Sequence, residues 1–131
     1  MSAVQFHMIR GAPEPVAPFS HATEADGWVF VTGQMPTYPG QPEAELPQGI
    51  EAQTRLVMEN LSRVLAGLGL SLADVTRAGV YLTHFDEDYG SFNRLYRSYF
   101  EADRLPARTC IGVSSLARGA RVEIDFIARR P

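Results

Sequence analysis

"IEAQTRLVMENLSRVLAGLGLSLADVTRAGVYL", Ile50 to Leu82, changes its hydrophobic period midway. Ile50, Thr54, Val57, Leu61, Val64/Leu65 and Leu68 recur at steps of three or four, while Glu51 with Arg55 and Glu59 with Arg63 sit four apart on the opposite side. This is the stripe of an amphipathic helix, stopped at Gly67 or Gly69. After "SLAD" the period falls to two, with Ala78, Val80 and Leu82 on one face and Gly79, Tyr81 and Thr83 on the other, which predicts a strand over 75–82.

Working outward, Val4 to Ile9 and Trp28 to Val31 read as strands, separated by "RGAPEPVAPFSHATEADG", whose prolines and glycines predict an irregular connection. "QMPTYPGQPEAELPQG" carries four prolines and two glycines in sixteen residues, so it is a connection of turns and a candidate functional loop. Downstream, Phe92, Leu95, Tyr96, Tyr99 and Phe100 predict a second helix, with Ser91 as its N-cap, Pro106 closing the stretch and the aromatic stripe packed in the core. Ala107 to Ser114 and Arg121 to Arg129 read as strands joined by "SLARGA", a turn suited to an antiparallel hairpin. The predicted order is ββαβαββ, in one domain spanning 1–131.

Composition removes several functions. Net charge is −3, which gives no push toward nucleic acid or anionic lipid, and Arg118, Arg121, Arg129 and Arg130 are expected to form a solvated basic rim. "MSAVQFHMIR" has no apolar signal core and no membrane-spanning run follows, so the expectation is a soluble cytoplasmic protein. All twelve basic residues are arginine, which rules out Schiff-base lysine chemistry and lysine-anchored pyridoxal phosphate. His7, His21 and His84 lack any HxH, HExxH or CxxC context, so no metal site is expected, and neither a GxSxG elbow nor a strand-borne GxGxxG occurs. Cys110, the sole cysteine, forms no intramolecular disulfide and lacks a placed histidine to activate it as a nucleophile.

"LPARTCIGV", Leu105 to Val113, poses the functional question. Alternation places Thr109, Ile111 and Val113 on one face and Arg108, Cys110, Gly112 and Ser114 on the other. In the last strand Val122, Ile124, Phe126 and Ala128 oppose Arg121, Glu123, Asp125, Ile127 and Arg129. If two helices cover the apolar face, Arg108, Cys110, Glu123 and Asp125 are expected to project together from the uncovered side. An ordinary solvated face with incidental ion pairs is one reading of this pattern. Cys110 and Gly112, with Tyr81 and Ile127, favour a face half-buried by another subunit, where an arginine would hold a bidentate carboxylate.

"APFSHA", "WVFVTGQMP", "QGIEAQTRLVMENLSRVLAGLGLSLADV", "VYLTHFDEDYGSFNRLYRSYF", "LPARTCIGVSSL" and "ARVEIDFIA" resemble, in order and spacing, the RidA/YjgF family of reactive-intermediate (imine) deaminases. The resemblance runs from about Arg10 to Arg129. It implies an α+β, chorismate-mutase-like fold, with two helices on one face of a mixed sheet, assembled as a homotrimer with clefts between subunits. The implied activity is cofactor-independent hydrolysis of 2-imino or enamino acids to 2-oxo acids and ammonia. The implied ligands are therefore a small imino or enamino acid or its 2-oxo acid, with no nucleic acid or membrane partner. Carried over by motif, Arg108 clamps the substrate carboxylate and Glu123 holds or activates the water. Cys110 contributes a backbone carbonyl, Gly33 brings its backbone close to the substrate, and Asn93 lies near the cleft. The usual "PYSQA" is here "PFSHA", so Phe19 keeps an apolar wall but lacks a tyrosine hydroxyl, and His21 replaces a glutamine. A non-catalytic trimeric binder of small carboxylates, and a deaminase acting on a different enamine, are the alternative readings.

Overall fold

The stripe over 50–68 becomes α1 (Ile50–Gly67), whose Thr54, Val57, Leu61, Val64 and Leu65 are wholly buried. Gly69, at φ 75°, ends it in a Schellman motif: the Leu70 N–H donates to the Leu65 carbonyl and the Gly69 N–H to that of Ala66. Of the two predicted ion pairs along this helix, Arg63 and Glu59 come to 3.7 Å. The computed structural model describes residues 3–131, and within them the strand predicted over 75–82 is β4 (Val75–Leu82), with Ala78, Val80 and Leu82 wholly buried. In chain order the other elements are β1 (Gln5–His7), β2 (Ala22–Ala25), β3 (Trp28–Gln34), α2 (Phe85–Arg97), β5 (Ala107–Gly112) and β6 (Val122–Arg129).

The six strands form one mixed sheet in the order β1-β2-β3-β6-β4-β5, with β4 and β5 parallel and the other neighbours antiparallel. Both helices pack on one face, α1 over β3 and β6 and α2 against β4, enclosing Val29, Val31, Val80, Ile124 and Phe126. This is the α+β architecture expected from the sequence.

Four local expectations are corrected. The proline-rich stretch before Trp28 contains a strand, β2, turned into β3 by Asp26 and Gly27 at φ 52° and 81°. Asp-Gly with two positive φ values matches the right-handed twist of a hairpin, and that dipeptide was the overlooked signal. Helix α2 starts at Phe85 rather than after Ser91. Asp86, Glu87 and Asp88 in its first turn, with Arg94 and Arg97 in its last, complement the helix dipole despite Gly90.

Strands β5 and β6 do not form a hairpin, because α2 is the crossover of a βαβ unit that lays β5 parallel to β4, while β6 lies on β4's other side. That topology inverts the predicted faces of β5. Arg108 and Cys110 are in register with the buried Ala78 and Val80, on the helix-covered side, whereas Thr109 and Ile111 align with Gly79 and Tyr81 on the open side. Ile111 is therefore 45% exposed instead of feeding the core.

Candidate functional site

The predicted site residues separate into two groups on opposite sides of the sheet. On the open side, β3 loses register with β6 between Val31 and Gln34, and this irregularity holds Gly33 beneath Glu123. A Cβ at position 33 would collide with the Glu123 carboxylate. The Thr32 hydroxyl donates to the Ser20 carbonyl at 2.6 Å and its N–H to the His21 carbonyl at 3.0 Å, which fixes the adjacent loop carrying Phe19.

Phe19, Gly33 and Glu123 thus line a single cavity of about 410 Å³. Further walls come from the N-terminal loop (Pro13, Glu14, Val16, Ala17), from the proline-rich connection (Met35, Thr37, Tyr38, Pro42) and from Ala117 and Arg118 ahead of β6. The connection flagged from composition therefore borders the cavity.

Burial pushes the Glu123 carboxyl above the usual glutamate range, and the neighbouring Asp125 charge adds to the rise. Asp125 itself accepts a 2.9 Å hydrogen bond from the Tyr81 hydroxyl. A carboxylate with raised proton affinity in a largely apolar cavity is equipped to take a proton from water and return it to a leaving group.

The second group lies at the edge strand β5 under α2. Arg108 donates to Asn93 Oδ1 at 2.8 Å, and its guanidinium lies 5.0 Å from the Tyr96 ring centroid and 5.7 Å from that of Phe92. The aromatic stripe of α2 therefore packs the core and seats this arginine. The guanidinium is held in place with most of its five donors available for an anion. Cys110 packs against the core, and burial raises its thiol pKa, with Arg108 opposing the rise. A thiol so placed is a poor nucleophile. The expectation that Arg108, Cys110, Glu123 and Asp125 share one face is therefore overturned: one chain keeps Arg108 and Asn93 apart from Glu123, Gly33 and Phe19.

The other polar features are structural. His21 is buried, accepting the Ile9 N–H at Nδ1 (2.7 Å) and paired through Nε2 with the Pro13 carbonyl (2.7 Å), so these partners assign the neutral Nε2–H form. The basic rim is largely tied down. Arg121 forks onto Asp88 and reaches Glu87, Arg130 pairs with Glu24, and Arg129 stacks over Trp28 at 5.4 Å. Arg118 borders the Glu123 cavity and donates to the carbonyls of Pro42 and Ala44, a role with no local motif to announce it. Among the described residues no cluster of three or more His, Cys, Asp or Glu could hold a metal, and no helix is long and apolar enough to cross a membrane.

Comparison with known proteins identifies the family and the fold. The family model described as Endoribonuclease L-PSP matches residues 9–130. A RutC family protein of Pyrococcus horikoshii is 38% identical over 89% of this chain and 90% of its own length. TdcF of Escherichia coli K12, which carries the provisional name reactive intermediate deaminase, is 30% identical over 91% and 92%. Among solved structures, RidA from an Antarctic Psychrobacter superposes with a TM-score of 0.89 at 30% identity, covering 96% of this chain and 99% of that one. Escherichia coli TdcF with bound serine gives 0.85 at 28% identity, covering 95% and 99%. The chain belongs to the Rid/YjgF family.

Proposed function

We propose that this chain is a cofactor-independent hydrolase that converts 2-imino or enamino acids into 2-oxo acids and ammonia in clefts completed between the subunits of a homotrimer. The observation that carries this reading is the separation of two complementary halves: an anchored arginine on one side of the sheet and a proton-handling carboxylate in a cavity on the other. Phe6, Phe30 and Ile111 are exposed on the open face, an apolar surface suited to burial against a second copy. A neighbouring copy would bring its Arg108 to the Glu123 cavity.

In such a cleft Arg108 holds both carboxylate oxygens and fixes the imine carbon, while Phe19 forms an apolar wall. Glu123 takes a proton as the water oxygen bonds to the imine carbon. That proton is returned to nitrogen, giving a carbinolamine; the hydroxyl proton then passes by way of Glu123 to the amino nitrogen as the C–N bond breaks, so ammonia leaves as the carbonyl forms. Water supplies the oxygen, so oxidation levels do not change and no cofactor enters the balance.

A second reading is a carboxylate-binding protein without turnover, favoured by the missing hydroxyl at Phe19 and by the bound serine of TdcF. Ribonuclease activity is not supported: net charge is −3, and among the described residues no histidine lines the Glu123 cavity. The test generates an imino acid in situ with an amino-acid oxidase and follows its disappearance. Acceleration by the wild type, lost in Arg108→Ala, supports the hydrolase. Thermal stabilisation by 2-oxo acids without acceleration supports the binder.

A further inference from the structure

Resting on the hydrolase reading, we infer that the Glu123 cavity selects substrates with a large apolar side chain over the small imino acids derived from alanine. The cavity measures about 410 Å³. At ~30 Å³ per water-sized heavy atom the cavity of the single chain has room for roughly a dozen such atoms, about twice what an alanine-derived imino acid fills, before a neighbouring copy's Arg108 is brought to it. Val16, Ala17, Phe19, Met35 and Tyr38 supply most of the apolar lining of the cavity. These side chains reward the transfer of carbon from water and offer little to a polar substituent.

Two features fix that preference in shape and sign. Arg118 is held in the left-handed region at φ 62°, where its guanidinium ties down the carbonyls of Pro42 and Ala44 and thereby the loop carrying Tyr38. The wall is thus anchored before any ligand arrives, which lowers the ordering cost of binding. Arg118 commits two of its five donors to those carbonyls, while Glu14 and Glu123 border the same space, so a substrate's second carboxylate meets two carboxyl groups against one partly committed cation.

The experiment compares kcat/KM for imino acids produced in situ from leucine, methionine, phenylalanine, alanine and aspartate. It also measures, by calorimetry, binding of the corresponding 2-oxo acids to the intact protein. The expected result is a preference of about tenfold or more for the leucine-, methionine- and phenylalanine-derived substrates over the alanine-derived one, with the aspartate-derived one last. Ala17→Phe, at an exposed loop position that lines the cavity, narrows the space and is expected to lower kcat/KM for the leucine-, methionine- and phenylalanine-derived substrates more than for the alanine-derived one, so that the preference shrinks.

Equal kcat/KM across the panel, or a preference for the alanine-derived substrate, overturns the inference and leaves the hydrolase standing. Absence of turnover combined with tighter binding of the larger 2-oxo acids overturns the hydrolase and retains the size preference. Absence of turnover with no such order in binding overturns both.

Discussion

Gly33 and Glu123 meet where β3 breaks register with β6, so the absence of a side chain at position 33 is what makes room for the carboxylate. Gly33 does not require the left-handed backbone region, and alanine at this position is compatible with the local chain path. Its methyl group must instead displace Glu123. Gly33→Ala is therefore expected to leave folding nearly intact and to lower kcat/KM by about 10²-fold, the usual penalty for misplacing a reacting group by about 1 Å. Circular dichroism and steady-state kinetics on the same sample check both halves of this expectation.

The environment of Glu123 gives opposite signs for activity and stability. Its carboxyl titrates above the usual glutamate range, first because it is desolvated and second because Asp125 lies near. Between the unfolded and folded values the native state binds the extra proton, so stability falls as pH rises through that window and the penalty persists at neutral pH. Glu123→Gln removes the ionised form. The variant should melt at a higher temperature than wild type at pH 7, lose that advantage at acid pH and be inactive. A base that must be ionised also predicts an acid limb in kcat/KM above the ordinary glutamate range, and Asp125→Asn should move this limb to lower pH. Melting curves and pH–rate profiles of the two variants read out each sign.

Much of this arrangement was legible in the sequence wherever a residue's neighbours along the chain determine its environment. The three-to-four period of α1 and the alternation of β4 and β6 predicted burial correctly because each is set by local geometry. The sequence points Arg108 to the wrong face because β5 alternates weakly: the exposed Ile111 is more apolar than Arg108 or Cys110, which face the helices. Only the crossover through α2, a long-range feature, orients that strand. The motifs singled out Glu123 and Gly33, but they could not show that Glu123 and Arg108 lie on opposite sides of one chain. Arg118 reads from the sequence only as part of a solvated basic rim because its partners are backbone carbonyls more than seventy residues away, and they leave no side-chain pattern.

Phe19 offers a gain-of-function test. It lies at the rim of the Glu123 cavity and is 40% exposed, so a hydroxyl added there meets solvent or ligand rather than the core. If the substrate carboxylate lies within reach, Phe19→Tyr adds one charge-assisted hydrogen bond, of about 1.5–3 kcal/mol at best. The expected outcome is a rise of about tenfold in kcat/KM for small imino acids, which depend most on polar anchoring. The rise should be smaller for large apolar ones. Parallel kinetics with alanine- and leucine-derived substrates measure the difference, and thermal melting confirms that the substitution leaves stability nearly unchanged.

The division of the site between two faces of the sheet makes a stricter demand. If each cleft takes Arg108 from one subunit and Glu123 from its neighbour, Arg108→Ala and Glu123→Ala homotrimers are each inactive for a different reason. Denaturing an equal mixture and refolding it together samples subunits at random, so about a quarter of the clefts receive an intact arginine and an intact glutamate at once. Activity should reappear at about a quarter of the wild-type level, and mixing the folded variants without denaturation should recover none until subunits exchange. Were both groups supplied to a cleft by the same chain, every cleft in the mixture would lack one of them, and co-refolding would restore nothing. Sedimentation of the refolded sample, to show that trimers have re-formed, makes a negative result as informative as a positive one.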